Sequence, residues 1–423
     1  MTNTAYISGS EAVRILGVKP QTLYAYVSRG LIRSIRQSGR RASLYAREDI
    51  DKVLARSQAR SGHGAVAAGA MRWGEPIIPT AITGISAEGP RYRSRLAVDL
   101  ARSGAPFETV AELLWSGIWH DEPAGWSCAA LPAEITRLAA TLSRNLHAKP
   151  QGTPPESQLL EIFSLFILTL GMARGSIATR MRNGNPLAAA RQIIQTLTGC
   201  MGYLSARQAF VPLQANERIS SALARALNIA PSAQHIAALE AILVLLADHE
   251  LTPSTFAARV AASSGAALHA CIGSALCTNS GVQVAQLYDR VEDLLRGAVD
   301  STEFTRRINI LQSGGTTPSG FNHPLYPRGD PRADFLLDMS RRWPRPPRVL
   351  LALHAFLDEA RTRHNLLPRV EMGVVALSIA MRLPPHSAGA LFSLSRTAGW
   401  VAHVMEQRLA GFLIRPRARF IGA

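Results

Sequence analysis

The 423-residue chain is long enough for two or three domains, and its 47% hydrophobic content excludes a disordered or fibrous protein. Its formal charge is +16, carried almost wholly by Arg, since Lys occurs only at Lys19, Lys52 and Lys149. Residues 1–60 hold eleven Lys or Arg against four acids, a net of +7, so the basic character is concentrated at the start. The cysteines, Cys128, Cys200, Cys271 and Cys277, lack CxxC spacing and lie in apolar stretches. That predicts buried reduced thiols, with neither a metal site nor a disulfide framework, and a cytoplasmic chain. No basic-then-apolar leader opens the sequence, and its best apolar run, "LLEIFSLFILTLGMA", contains Glu161 and is too short to span a bilayer. Neither export nor a membrane anchor is expected.

Residues 1–60 read as a first domain. "SEAVRILGV" places Ala12, Val13 and Leu16 on one helical face, Gly17 ends that helix, and "KPQTLYAYVSRGLI" starts a second with Pro20 in its first turn. Two short helices joined by a tight Gly turn form a helix-turn-helix pattern. "IRSIRQSGRRASLYAREDIDKVL" then alternates around Gly39 like a small hairpin wing before a helix from Arg47. The module resembles the DNA-binding domains of the MerR and excisionase-like groups. Thr22, Tyr24, Tyr26 and Arg29 are expected to project from the second helix, with Arg36, Arg40 and Arg41 in the wing neutralising phosphates. The plain alternative is a small helical domain with a solvated basic face.

Gln58 to Gly69, "QARSGHGAVAAG", is small and Gly-rich and predicts a linker, taken as residues 61–82. Beyond it, strand-like "PIIPTAITGIS" and "PRYRSRLAV" lead into long amphipathic segments, so the remainder is predicted mainly α-helical. Four stretches there place polar residues where a helical core does not want them. His249 ends the apolar helix "AALEAILVLLAD"; His323 and Arg332 sit in the Gly- and Pro-rich "SGGTTPSGFNHPLYPRGDPRADF"; Glu371 starts an apolar helix in "LPRVEMGVVALSIAMRL". In the fourth, Arg396 lies inside the apolar "LFSLSRTAGWVAHVMEQ", where a buried guanidinium requires an anionic partner.

Together with "TVAELLWSG" at Thr109–Gly117, "DHELTPSTFAARVAASSGA" and "RPRARF", these stretches follow one another as in the citrate synthase family, which the chain resembles from about Thr83 to its end. The resemblance implies a helical homodimer whose subunits have a large domain, here 83–285 and 376–423, and a small domain, here 286–375, closing over oxaloacetate and acetyl-CoA or another acyl-CoA. No permanently bound cofactor is implied. Carried over by motif, His249 and His323 contact oxaloacetate. Arg332, Arg396 and, from the partner subunit, Arg415 hold its carboxylates, as planar guanidinium forks do well. Gly314, Gly315, Gly320, Phe321, Asn322 and Arg328 are expected along the CoA.

Two catalytic positions depart from the family pattern. Where the family has a His before two glycines, "SGVQVAQLYDRVEDLL" supplies Val284, Ala285 and Gln286, and the catalytic Asp is replaced by Glu371 in "PRVEM". Val284 has no hydrogen bond to give an enolate, so the donor must be water, backbone, Gln283 or Gln286. Three readings follow: a ligand-responsive DNA-binding regulator with weak or lost condensation, a working citrate or 2-methylcitrate synthase, or an inactive subunit paired with an active one.

Overall fold

The computed structural model describes residues 6–28, 31–36, 43–51, 53, 78–123, 125–128, 130–147, 158–173, 186–295, 300–313 and 318–416. Arg29, Arg40, Arg41, Gly314 and Gly315 lie outside them, as does the predicted linker up to residue 77. The chain forms two compact units, one of Met1–Pro79 with Pro416–Ala423, the other of Thr80–Arg415.

In the first unit β1 (Tyr6–Ser8) leads into α1 (Gly9–Leu16), whose N-cap Ser8 accepts from the Glu11 N–H at 3.3 Å. Gly17 closes α1 at φ +63°, a left-handed position that suits glycine. Then come α2 (Pro20–Ser28), β2 (Ser34–Arg36), β3 (Ser43–Ala46) and a helical stretch from residue 47. The predicted hairpin pairs Ile35 with Leu44, but the sheet order is β1-β3-β2, so β1 adds a third strand that three residues were too few to announce as a period-two pattern. Ile7, Ala12, Leu16, Leu23, Ile32, Tyr45, Ile50 and Val53 make its core. Arg33 lays its fork on Asp49, with Nε and Nη2 donating at 2.7 and 3.0 Å, so part of the basic charge is consumed internally.

The second unit opens with an antiparallel sheet, β4 (Thr83–Ser86), β5 (Gly89–Tyr92) and β6 (Arg95–Leu96). Helices follow: α3 (Ala97–Arg102), α4 (Phe107–Ser116), α5 (Ala133–His147), α6 (Leu159–Ala173), α7 (Pro186–Cys200), α8 (Ile219–Ala226) and α9 (Ala233–Leu246). After them come α10 (Pro253–Ser263), α11 (Leu268–Asn279), α12 (Gln286–Leu295), α13 (Ser301–Ser313), α14 (Pro331–Arg341), α15 (Arg348–His364), α16 (Val370–Ala380) and α17 (Ser387–Ala410). The fold is mainly α, as predicted. Packing starts slightly before the expected boundary, since Ile82 is fully buried and the Ala81 N–H donates to Glu406 at 2.7 Å. Among the described residues no helix is long and apolar enough to cross a membrane. The cysteines are free, but only Cys200 and Cys271 are buried; contrary to expectation Cys128 is exposed on an irregular segment and Cys277 on the outer side of α11, next to buried Leu276.

From Ala238 onward α9 is buried on every side, as is most of α17, so α9 ends inside protein with its last carbonyls cut off from water. Side chains distant in sequence satisfy them. The Tyr92 hydroxyl lies 3.0 Å from Val244 O, 3.2 Å from Leu245 O and 3.2 Å from Asp248 O, and Arg396 Nε donates to Leu246 O at 2.9 Å. Gly399 lets α17 approach, its N–H donating to Ala247 O at 3.0 Å; a Cβ there would lie 2.6 Å from that oxygen and overlap Asp248.

Two helix starts are capped by acids from elsewhere. Glu108 accepts from the Ile219 N–H at 2.7 Å, and Glu240 accepts from the Phe107 N–H at 2.8 Å and from Ser220 Oγ at 2.8 Å. Burial and then the neighbouring Glu240 push the Glu108 carboxyl up to about 7.

Replacing Tyr92 by Phe keeps the ring and strands buried carbonyls, so the urea midpoint should fall by the equivalent of about 1–3 kcal/mol with the slope unchanged. Because Glu108 holds its proton in the fold far above the ordinary carboxyl value of 4.5, its contribution is complete below pH 4.5 and is lost as pH rises from there through about 7. Glu108→Gln should therefore flatten the drop in urea midpoint between about pH 4.5 and 7; an unchanged drop would show that this carboxyl is already ionised.

Candidate functional site

The site grows from the end of α9. Past its last turn, Asp248 is completely buried, and its Oδ2 meets His403 Nε2 at 3.2 Å. The other nitrogen of His403 faces Arg259 Nη1 at 3.4 Å, and that guanidinium donates to Glu406 at 2.7 Å and to Gln407 at 3.0 Å. Since Arg259 can only donate, His403 Nδ1 accepts and its Nε2–H points at Asp248. Burial alone would raise the Asp248 carboxyl, but His403, followed by Arg396, holds it below its ordinary value.

This anchor fixes His249, whose Nε2 sits 2.9 Å from the Tyr326 hydroxyl and whose ring is 5.5 Å, edge to face, from His323. Burial, then the positive fields of Arg332 and Arg396, push His249 well below the ordinary imidazole value, so it is neutral at pH 7.

His323 is held by a short antiparallel bridge between its loop and the segment before α16. Phe321 pairs with Pro368, the Asn322 N–H donates to Leu367 O and the Leu367 N–H to Asn322 Oδ1, both at 2.8 Å, and the Arg369 N–H donates to Gly320 O at 2.8 Å. Gly320 has φ +86°, and a Cβ there would lie 2.8 Å from Val291. His323 Nδ1 accepts the Leu325 N–H at 3.1 Å, which makes Nε2 the N–H of the neutral ring. Burial, followed by Arg332 and Arg369, pushes His323 down to about 4.

Arg332 starts α14 behind its N-cap Asp330, to which Nε and Nη2 donate at 3.0 and 2.8 Å; the pair is almost wholly buried. The same carboxylate accepts the Val370 N–H at 3.2 Å, tying α14 to α16. Burial would lower Arg332, but Asp330 holds it above its ordinary value. Arg396, 2% exposed, spends Nε on Leu246 O and stacks over Phe392 at 4.9 Å, while its Nη1 is buried without a hydrogen-bond partner. The anion that a buried guanidinium requires is Asp248, whose charge offsets part of the burial penalty that lowers Arg396.

Glu371 stands in the first turn of α16, and both its oxygens accept from Arg369, at 2.7 Å from Nη2 and 3.2 Å from Nε. Val284 lies in the turn before α12, half-buried against the core. Of the expected substitutes for its missing donor, Gln283 is exposed and Gln286 already donates to Ser280 O at 3.1 Å. Tyr288, one turn on, is buried and stacked on Phe392 at 4.9 Å within the fields of Glu371, Arg396, Arg332 and Arg369. Neither Arg369 nor Tyr288 is singled out by the sequence; an Arg two residues before a candidate base is the one available signal.

Arg415 is exposed on the segment after α17, where the neighbouring Ile414 N–H donates to Ser263. Of the residues expected along CoA, Arg328 and Asn322 are exposed, whereas Phe321 turns into the core, edge-on to Phe356 at 6.2 Å. Among the described residues, Asp289, Glu292 and His386 form the one His and carboxylate group compact enough for a metal ion, with ligand atoms within 4.8 Å; His386 N–H already donates to Glu292. In the first unit Tyr24 is 61% exposed and Thr22 half-buried on α2, while Tyr26 packs against the small core and so serves packing as well as any contact. Arg36 takes its register in β2 opposite Ser43.

The sequence profile described as citrate synthase, C-terminal domain, matches residues 70–417. The chain belongs to the citrate synthase family. A second profile, a helix-turn-helix domain, matches residues 6–58. The 2-methylcitrate synthase of Shewanella oneidensis is 26% identical over 361 residues, 82% of this chain and 92% of that one. A Mycobacterium tuberculosis member is 32% identical over 197 residues, 45% of this chain, and the chain spans about half the length of that relative, 53%. In fold, the citrate synthase of Thermoplasma acidophilum, solved as a ternary complex with carboxymethyl coenzyme A and oxaloacetate, matches with a TM-score of 0.65 at 21% identity, covering 82% of this chain and 94% of that one. The Pyrobaculum aerophilum citrate synthase gives 0.67 at 22% identity over 82% and 91% of the two chains. Family membership and the helical fold thus agree with the sequence.

A folded imidazole at about 4 against an unfolded value of about 6.5 means that stability is complete above pH 6.5 and is lost as pH falls toward 4. In an NMR titration the His323 ring should stay neutral down to about pH 5, and His323→Gln should make the acid-side loss of stability shallower. A His323 resonance that titrates near 6.5 would contradict a ring kept neutral by its surroundings.

Proposed function

We propose that the second unit binds oxaloacetate or citrate together with an acyl-CoA, that condensation is weak, and that the helix-turn-helix unit couples this binding to DNA. The observation that carries the proposal is the convergence of His249, His323, Arg332 and Arg396, with a buried Arg396 Nη1 that no protein acceptor satisfies. An unmet buried donor is costly and is naturally answered by a ligand oxygen. A carboxylate there accepts from Arg396 and Arg332, and a keto oxygen accepts from His323 Nε2–H. Arg415 from a second copy completes the carboxylate grip, within a large domain of 83–285 and 376–423 and a small domain of 286–375. The ligands named for the Thermoplasma neighbour support this class of ligand. CoA runs past Gly314, Gly315, Gly320, Asn322 and Arg328.

For condensation, Glu371 takes a proton from the acyl methyl and a hydrogen-bond donor stabilises the developing enolate oxygen. Val284 has no donor, and losing one such contact costs about 10² to 10³ in rate. Glu371 is also paired with Arg369 and is a longer carboxylate than the family's Asp, and misplacing a base by about an ångström costs about 10². Binding therefore outlasts turnover. The second reading, an active citrate or 2-methylcitrate synthase, is favoured by the match over 92% of the Shewanella 2-methylcitrate synthase.

On the regulator reading, two basic helix-turn-helix units of a dimer read a palindrome, with Tyr24, Thr22 and Arg29 at the bases and Arg36, Arg40 and Arg41 on phosphates. Full-length protein should bind oxaloacetate in calorimetry yet release thiol from acetyl-CoA or propionyl-CoA at least about a hundredfold more slowly than the usual range of about 1–10³ per second. Val284→His should raise that rate. Ordinary turnover by the unaltered chain would transfer the case to the second reading. Deleting residues 1–60 should abolish salt-sensitive binding to an operator library, and retained binding would remove the DNA assignment.

A further inference from the structure

Three guanidinium groups surround the two histidines, and each has a carboxylate counterion. Arg332 is held by Asp330 with 2% and 0% of the two side chains exposed, and the carboxylate is shared with the Val370 N–H. Arg396 has Asp248, itself bonded to His403 inside the core. The third pair differs: Arg369 is 23% exposed, Glu371 8%, and the contact is side chain to side chain between residues two apart in the chain. Exchanging its carboxylate for another leaves the core network untouched.

Arg369 is tied to the site through its backbone. Its N–H bonds Gly320 O, three residues before His323, and the next N–H bonds Asp330, the partner of Arg332. Its positive charge reaches both His249 and His323. We propose that Arg369 is a further anion-binding residue of this site, and that Glu371 is its resting counterion, displaced when a carboxylate of the bound di- or tricarboxylate takes the same fork. The proposal rests on the ligand reading given above and adds to it a competition within the protein.

The exchange balances charge: one bidentate carboxylate leaves Arg369 and another arrives, so the guanidinium stays satisfied. The released Glu371 stays at the positive dipole end of α16, whose first N–H, that of Val370, is already taken by Asp330. With no ligand the base is tied down; with ligand it is free to accept a proton. Ligand arrival and release of the base are thus one event.

The test is calorimetric binding of oxaloacetate, and separately citrate, to full-length protein and to Glu371→Gln, Arg369→Gln, Arg369→Lys and Arg396→Leu, with thermal midpoints recorded to verify folding. Removing the internal competitor in Glu371→Gln should tighten binding by about tenfold, whereas Arg369→Gln should weaken it by about tenfold, as for truncation of one member of a close charge pair. Arg369→Lys keeps the charge without the fork and should fall between the unaltered chain and Arg369→Gln. Glu371→Gln binding no tighter than the unaltered chain, or Arg369→Gln binding equally well, overturns the proposal while loss of binding in Arg396→Leu leaves the ligand reading standing. If the unaltered chain binds neither acid, or Arg396→Leu binds as well as it does, the ligand reading itself fails and takes this proposal with it.

Discussion

The interior end of α9 is the constraint around which the second unit is arranged. A helix that stops inside protein leaves carbonyls that water cannot reach, and each must find a donor. The one hydroxyl hydrogen of Tyr92, from the small sheet, is within reach of both Val244 O and Leu245 O, and Arg396 from α17 donates to Leu246 O. Meeting that requirement brings three segments 150 or more residues apart to one point, and the chain leaves it as Asp248 and His249. Gly399 is part of the same solution, because a side chain there would hold α17 away from Ala247.

Once that junction is formed, the polar groups of the site are positioned by one another. His403 orients Asp248, Arg259 sets the tautomer of His403, and Leu325 sets that of His323. Burial first, and then the guanidinium groups around them, keep the two histidines neutral, and Asp330 behind Arg332 keeps that guanidinium charged.

Much of this follows from local patterning. The two short helices around Gly17, the wing hairpin and the apolar runs of α9, α16 and α17 are periodic signals that survive into the structure. The burial of Arg396 is also visible, because a lone Arg in "LFSLSRTAGW" has no apolar role. What the sequence does not disclose are pairings fixed by the three-dimensional path. Tyr92 and α9 are separated by over a hundred residues, β1 is too short to show a period, and the inward turn of Phe321 depends on Phe356. The Arg369 and Glu371 pair is adjacent in sequence, yet alternation of charge at a helix start is so common that nothing marks it out.

The tautomer of His323 has an effect beyond placing a ring. With Nδ1 occupied by Leu325 and Nε2 carrying the hydrogen, the imidazole offers the pocket a donor and no acceptor, as Arg332 and Arg396 do by their chemistry. For the ligand proposed above, three donors set together act as a filter on ionisation state: a fully deprotonated acid presents them with oxygens, whereas a half-neutralised one brings a hydroxyl hydrogen that meets another hydrogen. Selection between such species is therefore made by the solution chemistry of the visitor, and across the neutral range the wall itself does not change.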